Sequence, residues 1–496
     1  MRPISKNRKI IVQNIILAIM LAGGLFVRWY RLGDLLGFYY DQGRDAMVIR
    51  KLFTERKFFL VGPVTGLDGI FLGPTLYYLL APFYSLGKGN PVVPAMFLSA
   101  LHLPVIYLLF RLGKKVSVFT GFLAAFIYSF SQPIFWLNRW LSNPPPVMLG
   151  SSLLIYSLYK ITKGASKYWL LVAVAIGFSL QFEVASAIFF IPAVLVFLSW
   201  QWQNRPPVKT AAVAIFIFLS SLLPQTLFEL RHDFVMSKSL RRELTLSKSF
   251  SGYSPSLFLQ RIRLFEYSFG NKIFTYQDRI IILGLPAIII YALITFRKWR
   301  SPLTTILLII LFSQLVPLLF FQGNHGNIYD YHLSGNFPVF ILLTAIVIGV
   351  NISRISGKIF ALVFIITFIK TNFPLAVASL SSGVDGPTHV SLGNQKQAIQ
   401  WLLQDSNGSQ FNVDVYVPPV IPYAYDYLLA WVGDIQGIYQ AQEQVSLLYT
   451  VYEQDPPHPE RLESWMVRQS TIGKIEKSVS FGGITVDRRS RLTSTK

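Results

Sequence analysis

The chain has 496 residues, enough for several soluble domains, yet 52% are hydrophobic and only 14% charged, where soluble domains carry about 25% charged residues. That balance excludes an ordinary cytosolic enzyme and indicates an integral membrane protein. The net charge of +21 lies mainly in short loops beside apolar stretches, so the positive-inside rule explains it without nucleic acid, and the absence of cysteine excludes disulfides, thiol nucleophiles and iron–sulfur clusters.

A span needs roughly 20 apolar residues. The first runs from Ile10 to Tyr30 behind Arg2, Lys6, Arg8 and Lys9, which places the N-terminus in the cytoplasm. It lacks a convincing cleavage site before Arg28 and reads as a retained helix rather than a signal peptide. Three apolar segments follow, Phe71–Leu86, Pro91–Phe110 and Val116–Trp136. With Arg111, Lys114 and Lys115 inside and both flanks outside, only an even number of them can cross. The Gly- and Pro-interrupted Phe71–Leu86 is the candidate for a re-entrant or interfacial segment. Later spans alternate: Pro144–Ile161 in, Tyr168–Phe182 out, Val184–Trp200 in, Val208–Leu230 out. After a polar exoplasmic loop, 231–279, come Ile280–Phe296 in, Pro302–Phe321 out, Tyr331–Val350 in, and Ile359 to about Leu380 out. The total is 11 or 12 spans.

Residues 381–496 differ in composition. Asn394–Gln404 and Arg461–Arg468 read as helices, and Phe411–Val417, Val445–Tyr452, Ile475–Val479 and Ile484–Val486 as strands. The expected fold is an all-α polytopic membrane bundle over 1–380, with a small exoplasmic α/β domain over 381–496.

Polar groups collect at the exoplasmic ends. In the first exoplasmic loop, 31–70, Asp41, Arg44 and Asp45 are spaced i, i+3, i+4 and share one side of a helix. Asp41 can be a helix N-cap with Arg44 paired to a neighbour, or a carboxylate tuned by desolvation and an arginine for general-base work. Arg139, Arg231 and His232 sit at expected helix ends. They can bind phosphate or simply snorkel to the interface. Glu229 lies just inside a span and needs a partner. Asn143 and Glu183 are further polar groups on this side; Glu183 can bind sugar or acceptor, or solvate a turn. His325, Asp330 and His332 give no zinc-like spacing, so no metal and no cofactor are expected, although a divalent metal stays open.

The order of Asp41-Gln-Gly-Arg-Asp-Ala, Leu72-Gly-Pro-Thr-Leu-Tyr-Tyr, Asn138-Arg-Trp-Leu-Ser-Asn143, Leu180-Gln-Phe-Glu183, Phe228-Glu-Leu-Arg-His-Asp-Phe and Tyr331-His-Leu-Ser-Gly-Asn-Phe-Pro338 resembles glycosyltransferase family 39 of the GT-C superfamily. That family holds protein O-mannosyltransferases and lipid A aminoarabinose transferases. The resemblance covers most of residues 10–380. It implies an inverting glycosyltransferase that takes a sugar from a polyprenyl-phosphate donor and passes it to a lipid, protein or polysaccharide acceptor at the exoplasmic face of the cell membrane. Asp41 takes the place of the catalytic base. The family's Asp-Glu pair is Asp41-Gln42 here, which leaves Asp45 as the second carboxylate, and Asn143 stands where a second acid is often found. Arg44, Arg139, Asn143, Glu183, Arg231 and His232 are the implied donor and substrate contacts. The alternative is a transporter or flippase of a lipid-linked or anionic substrate, which more often shows inverted repeats and mid-membrane polar residues in broken helices.

Overall fold

The computed structural model describes residues 6–246, 255–321, 327–384, 386, 388–418 and 421–492. Among these, six helices are long and apolar enough to cross a membrane: Asn7–Trp29, Val92–Gly113, Arg279–Trp299, Pro302–Phe320, Asp330–Gly349 and Ile355–Ser381. Val118–Phe130 with Gln132–Asn138, and Val208–Ser221 with Leu223–Arg231, are spans bent by 61° and 52°. Val147–Ile161, Tyr168–Phe182 and Val184–Trp200 are shorter apolar helices.

Both bends fall where a proline, Pro133 or Pro224, opens the second half. Proline has no N–H for the preceding turn and its ring clashes there, so a continuous helix becomes two. Each pair corresponds to one expected apolar segment, Val116–Trp136 or Val208–Leu230. Thr75–Leu86 contains only 12 residues, roughly 18 Å of helix, too short for a hydrocarbon core of about 30 Å. This accounts for the odd segment of the first half.

Burial sorts the spans. Of the Asp330–Gly349 window 89% is buried, against 11% for Asn7–Trp29. The former is apolar on every side because it forms the bundle centre, whereas the latter presents its isoleucines to lipid. Glycines bring helices together inside the bundle. Cβ atoms on Gly113 and Gly121 would press on the backbone of the facing helix, the small-residue packing that membrane helices use in place of a hydrophobic driving force.

Arg28, fully buried in the first span, donates to the carbonyls of Gly24, Tyr128 and Ser129. It ties that span to Val118–Phe130, in keeping with the need of an intramembrane cation for backbone acceptors.

The polar stretch 231–279 is not simply a loop. Val235–Leu246 and Pro255–Phe274 are helices. The second buries Arg261 and Phe265 on one face and then every residue from Ser268 to Phe274. Its charges masked that pattern.

The tail carries a four-stranded sheet of order β1-β2-β4-β3, from Asn412–Tyr416, Leu447–Glu453, Gly473–Phe481 and Ile484–Arg491. β1 and β2 are parallel, and the other pairs antiparallel. Leu392–Ser406 and Pro459–Ile472 are helices, as the sequence indicated. Without disulfides, the sheet is cross-braced by charge. Buried Asp487 accepts from Arg489 at 2.9 Å and Ser478 at 2.7 Å, and Asp405 accepts from Arg488, Lys477 and Tyr449. A further helix, Tyr423–Gln436, escaped the sequence reading.

Candidate active site

The expected helix forms over Tyr40–Thr54, referred to below as the loop helix. Gln42 closes its start, its side-chain carbonyl accepting the Tyr39 N–H at 3.0 Å. Capping is therefore done by Gln42, and Asp41 stands in the first turn, where the helix dipole favours a carboxylate. The i, i+3, i+4 spacing brings the three charges together. Arg44 bonds Asp41 at 2.8 Å with one guanidinium nitrogen and Asp45 at 2.9 Å with the other.

The two carboxylates differ in surroundings. Asp41's side chain is 53% exposed, Asp45's 9% and Arg44's 20%. Asp45 also accepts from the Tyr77 hydroxyl at 3.2 Å. Burial pushes Asp45 up to about 6, against the pull of Arg44 and Tyr77. Above pH 6 it is a buried anion fixing Arg44; below that it is neutral. Arg44 then has Asp41 as its one anionic neighbour. The hold of Asp45 on Arg44 should therefore loosen as pH drops through about 6. Burying the anion is destabilising above about 6 and relieved below it, so stability should rise as pH falls through that value, and Asp45→Asn should remove the rise, which melting curves of both proteins on either side of that pH check.

The other motifs meet at the turn Gln181–Glu183. Gln181 accepts from Thr75 at 2.9 Å and donates to the Ser221 carbonyl and Gln225 at 2.8 and 2.7 Å. A Cβ on Gly73 would overlap the Gln181 amide, so a larger residue here would displace that side chain. Gly73→Ala should expel Gln181 from its three hydrogen bonds and lower stability by about 1–3 kcal/mol, seen as a lower thermal midpoint, with a smaller change for Gly33→Ala, whose added Cβ meets only Val92 at 3.8 Å. Asn143 donates to the Phe182 carbonyl at 2.8 Å, and the Gly335 N–H to Ser186 at 2.9 Å. Glu183 is 6% exposed. Its carboxylate accepts one N–H, from Ala185 at 3.1 Å, and burial pushes it up to about 7 despite that bond. Tyr331 lies within electrostatic reach of both Glu183 and Asp41, and its ring meets Trp140 edge-on at 6.0 Å. Asp41, Arg44, Asp45, Asn143 and Glu183 thus belong to one neighbourhood at the tail-bearing end of the bundle.

The remaining candidates stand elsewhere. Arg139 donates to the carbonyls of Val27 and Tyr30 at 2.9 Å each and lies over Trp136, so it caps the end of the first span. His232 stacks on Phe228 and donates to its carbonyl. Arg231 ends the exposed helix Leu223–Arg231. Glu229 finds its partners in the N–H groups of Met236 and Ser237 at 2.7 and 2.9 Å, not in Arg231. His232, Lys238 and Arg242 border a separate open cavity of about 360 Å³. Among the described residues no three His, Asp or Glu side chains converge as metal ligands, and His325 lies outside them.

Sequence reasoning missed Tyr77 and Lys272. Lys272, 3% exposed, bonds Asp330 at 2.6 Å and lies over Phe337, next to Tyr331. Its signal was a lone lysine in an amphipathic helix read as loop.

Residues 72–225 match the model of the dolichyl-phosphate-mannose-protein mannosyltransferase family. That segment includes Tyr77, Asn143 and the Gln181–Glu183 turn. Over nearly its full length the chain superposes on ArnT from Cupriavidus metallidurans bound to undecaprenyl phosphate, with a TM-score of 0.59 at 10% identity, covering 96% of this chain and 98% of that one. The chain has the fold of the GT-C glycosyltransferases. The archaeal oligosaccharyltransferase AglB from Archaeoglobus fulgidus, in complex with an inhibitory peptide and a dolichol-phosphate, gives a TM-score of 0.52 at 12% identity over 99% of this chain and 75% of that one. No curated protein matches the chain in sequence. The family match is one of sequence and indicates a glycosyltransferase, and the match to ArnT is one of backbone and gives the fold, as the motif order had suggested.

Proposed function

We propose that this GT-C enzyme moves a single sugar from a polyprenyl-phosphate donor to an acceptor hydroxyl at the exoplasmic face, with inversion. Residues 1–380 form the catalytic membrane part, the N-terminus is cytoplasmic, and 381–496 lie outside. The observation that carries this reading is the contrast within the loop helix. A half-exposed Asp41 and a buried Asp45 share one Arg44.

In this reading Asp41 removes the acceptor proton, and the freed oxygen attacks the anomeric carbon. The carbon–oxygen bond to the lipid phosphate breaks, and the phosphate leaves with the electron pair. Arg44 presents its planar fork to that phosphate while Asp45 and Tyr77 hold it in place. Glu183 and Tyr331 face the sugar or acceptor. The leaving group is already a phosphate, so the reaction needs a base and a cation and no cofactor. The bound undecaprenyl phosphate of ArnT and dolichol-phosphate of AglB support a donor of this class.

The test is transfer by the purified full-length protein in bilayers, using a panel of radiolabelled undecaprenyl-phosphate monosaccharides with native membrane lipid and protein as acceptors. Label moving from the donor into a new product is the expected result. Label that crosses the bilayer still attached to its lipid would favour a flippase instead.

A further inference from the structure

We propose that the tail domain is a positioning element of the catalytic centre, setting the loop helix through the Gly43 face. The proposal rests on the transferase reading above.

The loop helix has two working faces. Asp41, Arg44 and Asp45 share one, while Gly43 lies about 200° around the helix from Asp41, and Arg50, seven residues on, returns to the Gly43 side. That second face is covered by the tail helix Tyr423–Gln436. A Cβ on Gly43 would overlap the backbone of Tyr423 and Ala424, so the helices touch main chain to main chain, with no flexible side chain between them to absorb a shift. Tyr40 and Tyr423 pack ring to ring at 5.0 Å. Arg50 binds Asp434 through both carboxylate oxygens at 2.8 and 2.9 Å. The segment leading into the loop helix is tied as well, since Gln395 donates to the Phe38 carbonyl and the Leu392 N–H to that of Leu36, both at 2.9 Å. The middle of the tail helix is anchored to the membrane part, with Trp431 and Tyr427 donating to the carbonyls of Lys88 and Gly89. The loop helix is thus wedged between the bundle, which holds Asp45 through Tyr77, and the tail, which holds its back.

A displacement of about 1 Å in a catalytic group can cost on the order of a hundredfold in rate. Gly43→Ala forces the helices apart and should lower kcat about tenfold or more while donor KM stays within about threefold. The readout uses reconstituted full-length protein and the undecaprenyl-phosphate sugar that the wild type accepts. Arg50→Asp and Asp434→Arg should each slow turnover, and the double reversal should recover it to within about threefold, the coupling expected of a contacting pair. This rescue carries the test should Gly43→Ala fail to fold. The lack of native cysteine allows an independent check by bridging Arg50→Cys/Asp434→Cys with a short bis-maleimide, which should link the two segments in intact membranes. Wild-type kcat in Gly43→Ala, a double reversal no better than the singles, or no bridge overturns the positioning role. A wild type inert with every donor while the bridge forms overturns the transferase reading instead.

Discussion

Asp41→Asn abolishes measurable transfer: the expected loss is about 10²–10⁴-fold in kcat, the usual contribution of a positioned general base. The substitution keeps size and shape and removes only the proton acceptor. Arg44 stays anchored by Asp45 at 2.9 Å, so the fold and the phosphate-facing cation persist, and donor KM should change little. Asp45→Asn acts differently. The carboxylate is buried and bound through one oxygen to Arg44 and Tyr77, so in this reading it positions Arg44, and its loss should reduce turnover without abolishing it. Initial rates of labelled sugar transfer by the three proteins at matched expression decide the matter. A fully active Asp41→Asn would move the base elsewhere, with Glu183 next in line.

The second large effect is expected at Arg44. Arg44→Gln should lower kcat/KM about 10²–10³-fold, the range seen when one donor to a developing anion is removed. The same change takes the cation from between Asp41 and Asp45. The buried Asp45, left alone, holds its proton to higher pH, so the protein should stay folded with its centre disarmed. Arg44→Lys should recover little, because a single ammonium cannot engage both carboxylates and the phosphate as a planar fork does. Binding of undecaprenyl phosphate alone, followed by tryptophan fluorescence, separates lost phosphate affinity from lost turnover. Unchanged binding by Arg44→Gln would remove the phosphate role and leave Arg44 as a partner of the base.

Much of this site could be read from the chain because it is local. Asp41, Arg44 and Asp45 lie within one helical turn, and a helix of any length brings them together. The sequence pattern could not say which carboxylate is buried, since that depends on Tyr77, 32 residues away, on a segment too short to span. Nor could it separate Arg139 from Arg44 as a cation for phosphate. Both are arginines on the expected exoplasmic side, and only the fold directs Arg139 to the carbonyls of Val27 and Tyr30. Glu229 needs a partner, and only the fold shows that the N–H groups of Met236 and Ser237 supply it.

Composition and charge spacing by themselves determined that the chain is a polytopic membrane bundle with a distinct polar tail. Burying apolar residues in lipid and keeping cations beside one face are requirements each segment meets alone. Proline bends, the burial of Asp330–Gly349 at the centre and the role of Lys272 were decided only in three dimensions. The same holds for the helix Tyr423–Gln436, whose aromatic run gave no clear period. It is defined by its seat against Gly43 of a helix almost 400 residues earlier in the chain. Periodicity reports what one segment needs, whereas such a contact depends on the shape of two surfaces that the folded chain brings together.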